Sequence, residues 1–478
     1  MEEHTVDVAI IGAGTTGLAA AGAAQEYDVS IAMIEGGQYG TTCARVGCMP
    51  SKLLIAAAEA AEGVRKAPAF GVEAEAPRID GRAVMHRVQS ERDRFVSFHN
   101  IESIERDFPT VPQLRGHAQF VDDQTLQVGD DTIIKADRII IATGSHPSYP
   151  RAWGEAVGDL LLTTDSVFEL EDLPESIAAF GGGAIGLEMA QALYRLGVRM
   201  RLFGKGGSVG ALTDPRVRDY AANAFSEEFS FFPDGDVRNV SRDGDEVVIT
   251  FIDDSGAEQI EHFQYMFAAT GRRPNVVNLG LENTSLPLDN CGIPVFDRCT
   301  MQIGDSRVFI AGDTDNYLPL LHEGVDEGRI AGTNAARYPD VRAQPRGARM
   351  SIVFCDPQIA MAGMTLREIE TAGIPHAIGE LNFEGQGRSR VMLKNKGLLH
   401  VYGEKGTGRF LGAEMIGPAA EHIGHLLSWA LQAGLTVQQM VDSPFYHPVV
   451  EEGLRTALTQ LCHKLRIGPV PANDRPGA

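Results

Sequence analysis

Apolar residues fall into two rhythms along this chain, and the switches between them mark its elements. Val6 to Ile11 is a mostly apolar run of strand length, followed after Gly17 by an Ala-rich stretch, Leu18 to about Gln25, that reads as a helix. A second run, Val29 to Ile34, ends in Glu35. Behind Cys48, the residues Met49, Leu53, Leu54, Ala57 and Ala58 recur at helical spacing. The helical pattern continues from Ala56 to about Arg106, with Glu91, Arg92 and Arg94 expected on a solvated face. Leu126 and Val128 face Thr132 and Ile134 across Gly129-Asp130-Asp131, a hairpin signal. Ile139-Ile140-Ile141 runs as a strand into Ala142-Thr143-Gly144-Ser145, and Pro147 and Pro150 mark a linker.

The series then restarts. Ile177 to Phe180 leads into Gly181-Gly182-Gly183-Ala184-Ile185-Gly186, a helix from Leu187 to Leu196, and a strand from Val198 to Phe203. Met266 to Ala269 then runs into Thr270-Gly271, as Ile139 to Ala142 ran into Thr143-Gly144, so one architecture is used twice. Val308-Phe309-Ile310 is a further strand, ending in Ala311-Gly312-Asp313. From about Arg346 onward, strands such as Gly397 to Tyr402 mix with helices such as Glu421 to Ala433.

Each glycine turn has a mechanical reading. In Gly12-Ala13-Gly14-Thr15-Thr16-Gly17 the first glycine permits the tight turn, the second lets a pyrophosphate approach the backbone, and the third lets helix and strand pack closely. The pyrophosphate then rests on a helix N-terminus, and Glu35 would accept the ribose hydroxyls. Gly181, Gly183 and Gly186 repeat the turn, but the strand that follows ends in Gly204-Lys205 and not in an acid. With Lys205, Arg199 and Arg201 nearby, a 2′-phosphate is tolerated there, which favours NADP(H) over NAD(H). Strand alternation puts both arginines on the side of Phe203, where either is equally readable as a solvated charge.

The chemistry centres on Thr41-Thr42-Cys43-Ala44-Arg45-Val46-Gly47-Cys48-Met49-Pro50-Ser51-Lys52. Two cysteines separated by four residues open a helix whose first turn, with unpaired N–H groups and a positive dipole end, favours a thiolate. A zinc site needs further ligands, and Cys291, Cys299, Cys355 and Cys462 supply no matching pair, so no metal is expected. Thiol exchange needs a group that takes and returns a proton, a task suited to histidine as a residue type; His447 stands in Pro444-Phe445-Tyr446-His447-Pro448, and a carboxylate such as Glu452 would fix its tautomer.

Composition narrows the classes. The chain has 478 residues, enough for about three domains, with ordinary hydrophobic content. A formal charge of -22 argues against a nucleic-acid binder. No apolar run has the length of a membrane span, and the acidic start Met1-Glu2-Glu3 lacks the basic region of a secretory signal. Six cysteines in so long a chain fit a reducing compartment, and a cytoplasmic location is expected.

Taken together, and over nearly its whole length, the chain resembles the class I pyridine nucleotide-disulfide oxidoreductases, the flavoproteins that include dihydrolipoyl dehydrogenase, glutathione reductase and mercuric reductase. The resemblance implies an α/β fold with two Rossmann-like dinucleotide-binding domains, for FAD and NAD(P), and a C-terminal α+β dimerisation domain. Its expected divisions are 1–150 and 276–345 for FAD, 151–275 for NAD(P) and 346–478 for dimerisation. It implies that Gly12, Gly14, Gly17, Glu35, Thr42, Thr143, Gly144 and Asp313 bind FAD, with Asp313 on the ribityl chain. Gly181, Gly183, Gly186, Lys205 and Gly271 fall to the nicotinamide nucleotide. Lys52 and Glu188 match the ion pair beside the flavin N5. Cys43 would form the mixed disulfide with substrate while Cys48 faces the flavin, and hydride would pass between flavin and nicotinamide. His447 and Glu452 match the acid-base dyad offered across a homodimer to the partner's cysteines.

Two departures bear on the substrate. Arg45 stands where the family usually has Asn, and the missing acid at Gly204 makes NAD-linked lipoamide oxidation less straightforward. The tail from Pro469 to Ala478 has no cysteine pair, which argues against mercuric reductase and the large thioredoxin reductases. The leading expectation is a dihydrolipoyl dehydrogenase-like enzyme acting on a small or lipoyl-bearing disulfide. An NADPH-dependent reductase of a low-molecular-weight disulfide or other acceptor, and a flavin-bearing interaction subunit without turnover, are the alternatives.

Overall fold

In the computed structural model, which describes residues 2–97 and 102–466, three sheets organise the chain. The first is built on Glu2–Ile11, whose buried half, Val8 to Ile11, pairs in parallel with Ile31–Glu35 on one side and Thr132–Ile141 on the other. Val308–Ile310 joins this sheet beside Thr132–Ile141, so a late segment of the chain completes an early sheet. The helix Thr15–Ala24 packs on Leu321–Arg337, where Gly328 and Gly332 let the two backbones approach: a Cβ on either would come within 2.4 Å of a carbonyl oxygen in the first helix.

The second sheet is wholly parallel, in the order Ser230–Phe232, Arg199–Phe203, Ser176–Phe180, Tyr265–Ala268, Leu161–Leu162. An antiparallel three-stranded sheet, Asp236–Asp243, Glu246–Ile252 and Glu258–Phe263, packs on it through a core that includes Phe180, Phe203, Phe251 and Phe263. A two-stranded ribbon, Ser145–Pro147 with Arg272–Pro274, connects the first and second sheets; the Pro147 linker expected from sequence is therefore itself hydrogen-bonded structure. The third sheet is antiparallel, from Met350–Val353 to His376–Asn382, with Ala420–Gln432 and Glu452–Leu465 packed against it.

Three sequence expectations need correction. The helix at the cysteines is two helices, Thr42–Val46 and Cys48–Lys66, broken at Gly47. The helical pattern after Ala56 is likewise interrupted: regular structure stops after Phe70 and resumes at Gly81–Val96, with Asp80 accepting a hydrogen bond from Ala83 N as its cap. Arg92 is buried and not solvated, held by Asp93 at 2.8 Å and by Glu169. Its period-matched position was right for a helix face but wrong for water, because the loop carrying Glu169 covers that face.

Candidate functional site

Both glycine turns are shaped by backbone contact. Gly12 has φ +110°, and a Cβ there would lie 2.3 Å from Ala142 O, while one on Gly17 would lie 1.9 Å from Gly12 O. The second turn repeats this, with Gly181 at φ +115° and its Cβ position 2.2 Å from Ala269 O, and that of Gly186 1.8 Å from Gly181 O. The middle glycines, Gly14 and Gly183, face open space and stand as the caps of Thr15–Ala24 and Ala184–Arg195. Each turn thus offers free room at a helix N-terminus, where a diphosphate would meet unpaired N–H groups. The residues present fit an FAD at the first turn and a nicotinamide nucleotide at the second.

Around the first turn, Glu35 accepts from Ala13 N at 2.9 Å and Gly37 N at 2.7 Å, which fixes its carboxylate at the strand end. Thr143 Oγ1 donates to Asn275 O at 2.7 Å and lies 2.9 Å from Thr314 Oγ1, and Gly144 takes φ +68° beside it. Asp313 accepts from Ser145 Oγ at 2.7 Å, with Arg272 Nε 3.9 Å away. Thr42 is exposed on the first turn of the short cysteine helix, and Gly271 turns at φ +114° ahead of the ribbon.

Around the second turn the arginines do not do what their sequence positions suggested. Arg201 ion-pairs with Glu261, donating from Nε at 3.0 Å, and lies over the rings of Phe232 and Phe251. Arg199 lies over Phe263 and reaches the same Glu261 at 3.5 Å. Both are spent on the three-stranded sheet. Lys205 is exposed and, unlike the two arginines, takes no ion pair among the described residues.

The two cysteines are unlike. Cys48 begins the 19-residue helix Cys48–Lys66 and Lys52 follows one turn later on the same helix. A hydrogen bond from Cys43 pulls the Cys48 thiol down, and the Lys52 cation adds to this against the opposing effect of burial, leaving it at about 7. The same hydrogen bond, with burial, pushes Cys43 up, so the pair holds its proton on Cys43. Lys52 Nζ is 2.7 Å from Glu188 Oε2 and 4.6 Å from the centroid of the Phe354 ring. Glu188 is buried, and its other oxygen accepts from Phe354 N at 2.9 Å. The ion pair therefore ties the cysteine helix to Ala184–Arg195 and to the edge of the third sheet.

His447 Nδ1 lies 2.9 Å from Glu452 Oε1, while Glu452 Oε2 accepts from Val449 N at 3.2 Å. The hydrogen bond to His447 holds Glu452 below the usual carboxylate range. The imidazole is 81% exposed, and among the described residues no hydrogen bond or ion pair joins it to either cysteine of its own chain.

Several groups left no clear mark in the sequence. Phe354, stacked on Lys52, follows a strand with no signal of its own. Glu327 and Asp315 form a buried pair beside Arg346; burial, and for Glu327 the charge of Asp315, raises them to about 8 and about 6. Asp214 caps Pro215–Ser226 and also meets His400 at 2.6 Å and Tyr402 at 3.1 Å, pinning the second parallel sheet's unit to the third sheet. Asp before Pro was a readable cap signal, but its partners almost two hundred residues on were not. No cluster of metal-ligating side chains occurs among the described residues.

Comparison with known proteins agrees with this geometry. Residues 6–328 match the family model described as pyridine nucleotide-disulphide oxidoreductase, and residues 350–458 match its dimerisation domain. A mercuric reductase of Streptomyces lividans is 32% identical over 475 residues, covering 96% of each chain. A dihydrolipoyl dehydrogenase of Chlamydia pneumoniae is 30% identical over 472 residues, covering 97% of this chain and 98% of its own. Among solved structures, the Cu(II) complex of the HOCl-induced flavoprotein disulfide reductase RclA from Escherichia coli superposes with a TM-score of 0.80 at 21% identity, over 96% of this chain and all of that one. At that identity the likeness speaks for the fold. The dimerisation match supports a homodimer, and no described helix is long and apolar enough to cross a membrane. The protein is an FAD-dependent, NAD(P)H-linked disulfide oxidoreductase, and the chain belongs to the pyridine nucleotide-disulphide oxidoreductase family.

Proposed function

We propose that Cys43 and Cys48 are the redox pair through which this enzyme exchanges electrons with a small or lipoyl-bearing dithiol, in the manner of a dihydrolipoyl dehydrogenase. The asymmetry of the two thiols carries this reading: one is held towards thiolate beside a cation, the other keeps its proton. In the oxidising direction, a substrate thiolate attacks Cys43 Sγ of the Cys43–Cys48 disulfide and releases Cys48 as thiolate. The second substrate thiol then attacks the mixed disulfide, closing the substrate disulfide and releasing Cys43, which takes up a proton. The substrate loses an electron pair and the cysteine pair gains it.

His447, offered to the partner's cysteines, takes the proton from the attacking thiol and returns it to the leaving one, with Glu452 holding its ring. Its exposure in the single chain supports a role towards another chain. Lys52, steadied by Glu188, keeps a positive charge one turn from Cys48. Bound FAD supplies the acceptor that relays the electron pair to the nicotinamide nucleotide. Gly12, Gly14, Gly17, Glu35, Thr42, Thr143, Gly144 and Asp313 hold the flavin nucleotide; Gly181, Gly183, Gly186, Lys205 and Gly271 border the second nucleotide.

Sheet membership supports unit divisions near 150, 275 and 345, since the first sheet draws on both ends of that span and the second lies between them. The small number of cysteines, six in 478 residues, supports a reducing, cytoplasmic setting. Steady-state rates with dihydrolipoamide and NAD+, against NAD(P)H with a panel of disulfides, test the substrate; turnover of dihydrolipoamide is expected, and its absence alongside fast reduction of another disulfide overturns it. The relative named mercuric reductase favours a second reading, reduction of a different acceptor.

A further inference from the structure

The strand Arg199–Phe203 ends without an acid, and the structure shows why none fits. A Cβ on Gly204 would lie 2.4 Å from Pro233 O. The segment after Ser230–Phe232 folds across that strand end: Gly204 N donates to Phe232 O at 2.7 Å and Gly235 N donates to Gly204 O at 3.1 Å. This clasp leaves no room for a side chain at Gly204. It also delivers a carboxylate from next door, because Asp234, between the clasping residues, accepts from Gly206 N at 2.6 Å through Oδ1.

That carboxylate is on the nucleotide side of the sheet. The two strands are parallel, with Phe203 opposite Phe232, so Gly204 and Asp234 both follow carboxyl ends, where nucleotides bind in such folds. The segment 205–210 is in turn fastened to the glycine turn, since Gly210 N donates to Gly182 O at 2.7 Å and a Cβ on Gly182 would lie 2.4 Å from Ser208 O. Asp234 is exposed, and among the described residues its Oδ2 has no partner. Lys205 is the one neighbouring cation not engaged elsewhere, because Arg199 and Arg201 are held by Glu261.

We propose that Asp234 is a specificity-determining residue of the nicotinamide-nucleotide site: it accepts a hydroxyl of the adenosine ribose through Oδ2 and repels a 2′-phosphate, so that NAD(H) is the preferred nucleotide. This rests on the assignment of Gly181, Gly183 and Gly186 to that nucleotide. The acid that this fold usually carries at the end of its second strand is here carried by the turn after its third. An un-ionised side chain at the same place would keep the bond from Gly206 N but lose the charge.

The test measures kcat/KM for NADH and NADPH on the holoenzyme, wild type and Asp234→Asn. Wild type should prefer NADH, and the variant should change the NADPH/NADH ratio in favour of NADPH by about tenfold, the scale of one charged hydrogen bond and one exposed charge contact. The NADPH gain should shrink as salt rises. A purely structural Asp234 would lower both constants together and leave the ratio unchanged, which overturns the proposal; so does a wild-type preference for NADPH. Should the variant not fold, competition on wild type decides: 5′-AMP should inhibit more strongly than 2′,5′-ADP, and the reverse order overturns the proposal. If neither nucleotide reduces the bound flavin, the assignment of the second turn has itself failed.

Discussion

The two glycine turns share a backbone and differ in what stands beside it. In both, a carbonyl of the following central strand presses on the first glycine and the turn closes on the third, leaving the middle one open. Beside the first, the acid is local: Glu35 ends the very next strand and is fixed by Ala13 N and Gly37 N. Beside the second, the strand end is covered by Pro233, and Asp234 arrives from a strand some thirty residues later. The turn is a backbone device and repeats faithfully. The group that reads the ribose is a tertiary feature, free to move between strands so long as it ends up at the same edge.

If the two sites are separate devices, breaking one should spare the other. Gly186→Ala, which drives a Cβ to 1.8 Å from Gly181 O, should slow nucleotide-driven flavin reduction by at least about 10²-fold while the protein stays yellow and reducible by dithiols. Gly17→Ala should instead cost flavin content itself, read from absorbance of the purified protein. Loss of flavin from both variants alike would show the turns to be coupled.

On the thiol side, His447→Gln should slow dithiol-driven reduction by roughly 10²-fold or more. Reduction by the nucleotide should be unchanged, so rapid-mixing measurements of the two half-reactions separate them; equal losses would remove His447 from the acid-base role. A smaller effect concerns charge at Cys48. Its thiolate should form with a midpoint near pH 7, and Lys52→Met should raise that midpoint by about one unit, since removing the cation favours the protonated form. Thiolate absorbance or alkylation rate against pH reads this directly.

The smallest expected effect is at Glu327, on the helix Leu321–Arg337 packed against Thr15–Ala24, where it accepts from Gly312 N. Its carboxyl is raised in the folded protein to about 8, so from the ordinary carboxylate range up to about pH 8 the unfolded chain loses a proton that the folded chain keeps. Stability should therefore fall with rising pH across that window. Glu327→Gln, which cannot ionise, should flatten the fall in Tm between pH 5.5 and 8; an unchanged slope would mean that Glu327 is already ionised in the fold.

What the sequence made legible follows the same division. The glycine turns, the cysteine pair, Lys52 with Glu188, and His447 with Glu452 are short-range or motif-bound, and the structure brings each of these groupings together as geometry. The hairpin at Gly129 was equally readable, with Val128 opposite Thr132. The failures needed long-range packing to see: Arg92 covered by the loop of Glu169, the break at Gly47, and the two arginines drawn to Glu261. Strand alternation correctly put Arg199 and Arg201 on one side, but periodicity carries no information about which partner sheet lies there. The case for NADP(H) weakens for that reason.

The exchange of an electron pair between Cys43–Cys48 and the bound flavin is tested most directly by anaerobic reductive titration of the holoenzyme, wild type beside Cys48→Ser. Wild type should take up one electron pair before the flavin bleaches, with a long-wavelength thiolate-to-flavin band growing in, and a second pair to finish. The variant should bleach with the first pair and show no such band. Identical titrations of the two proteins would contradict the account.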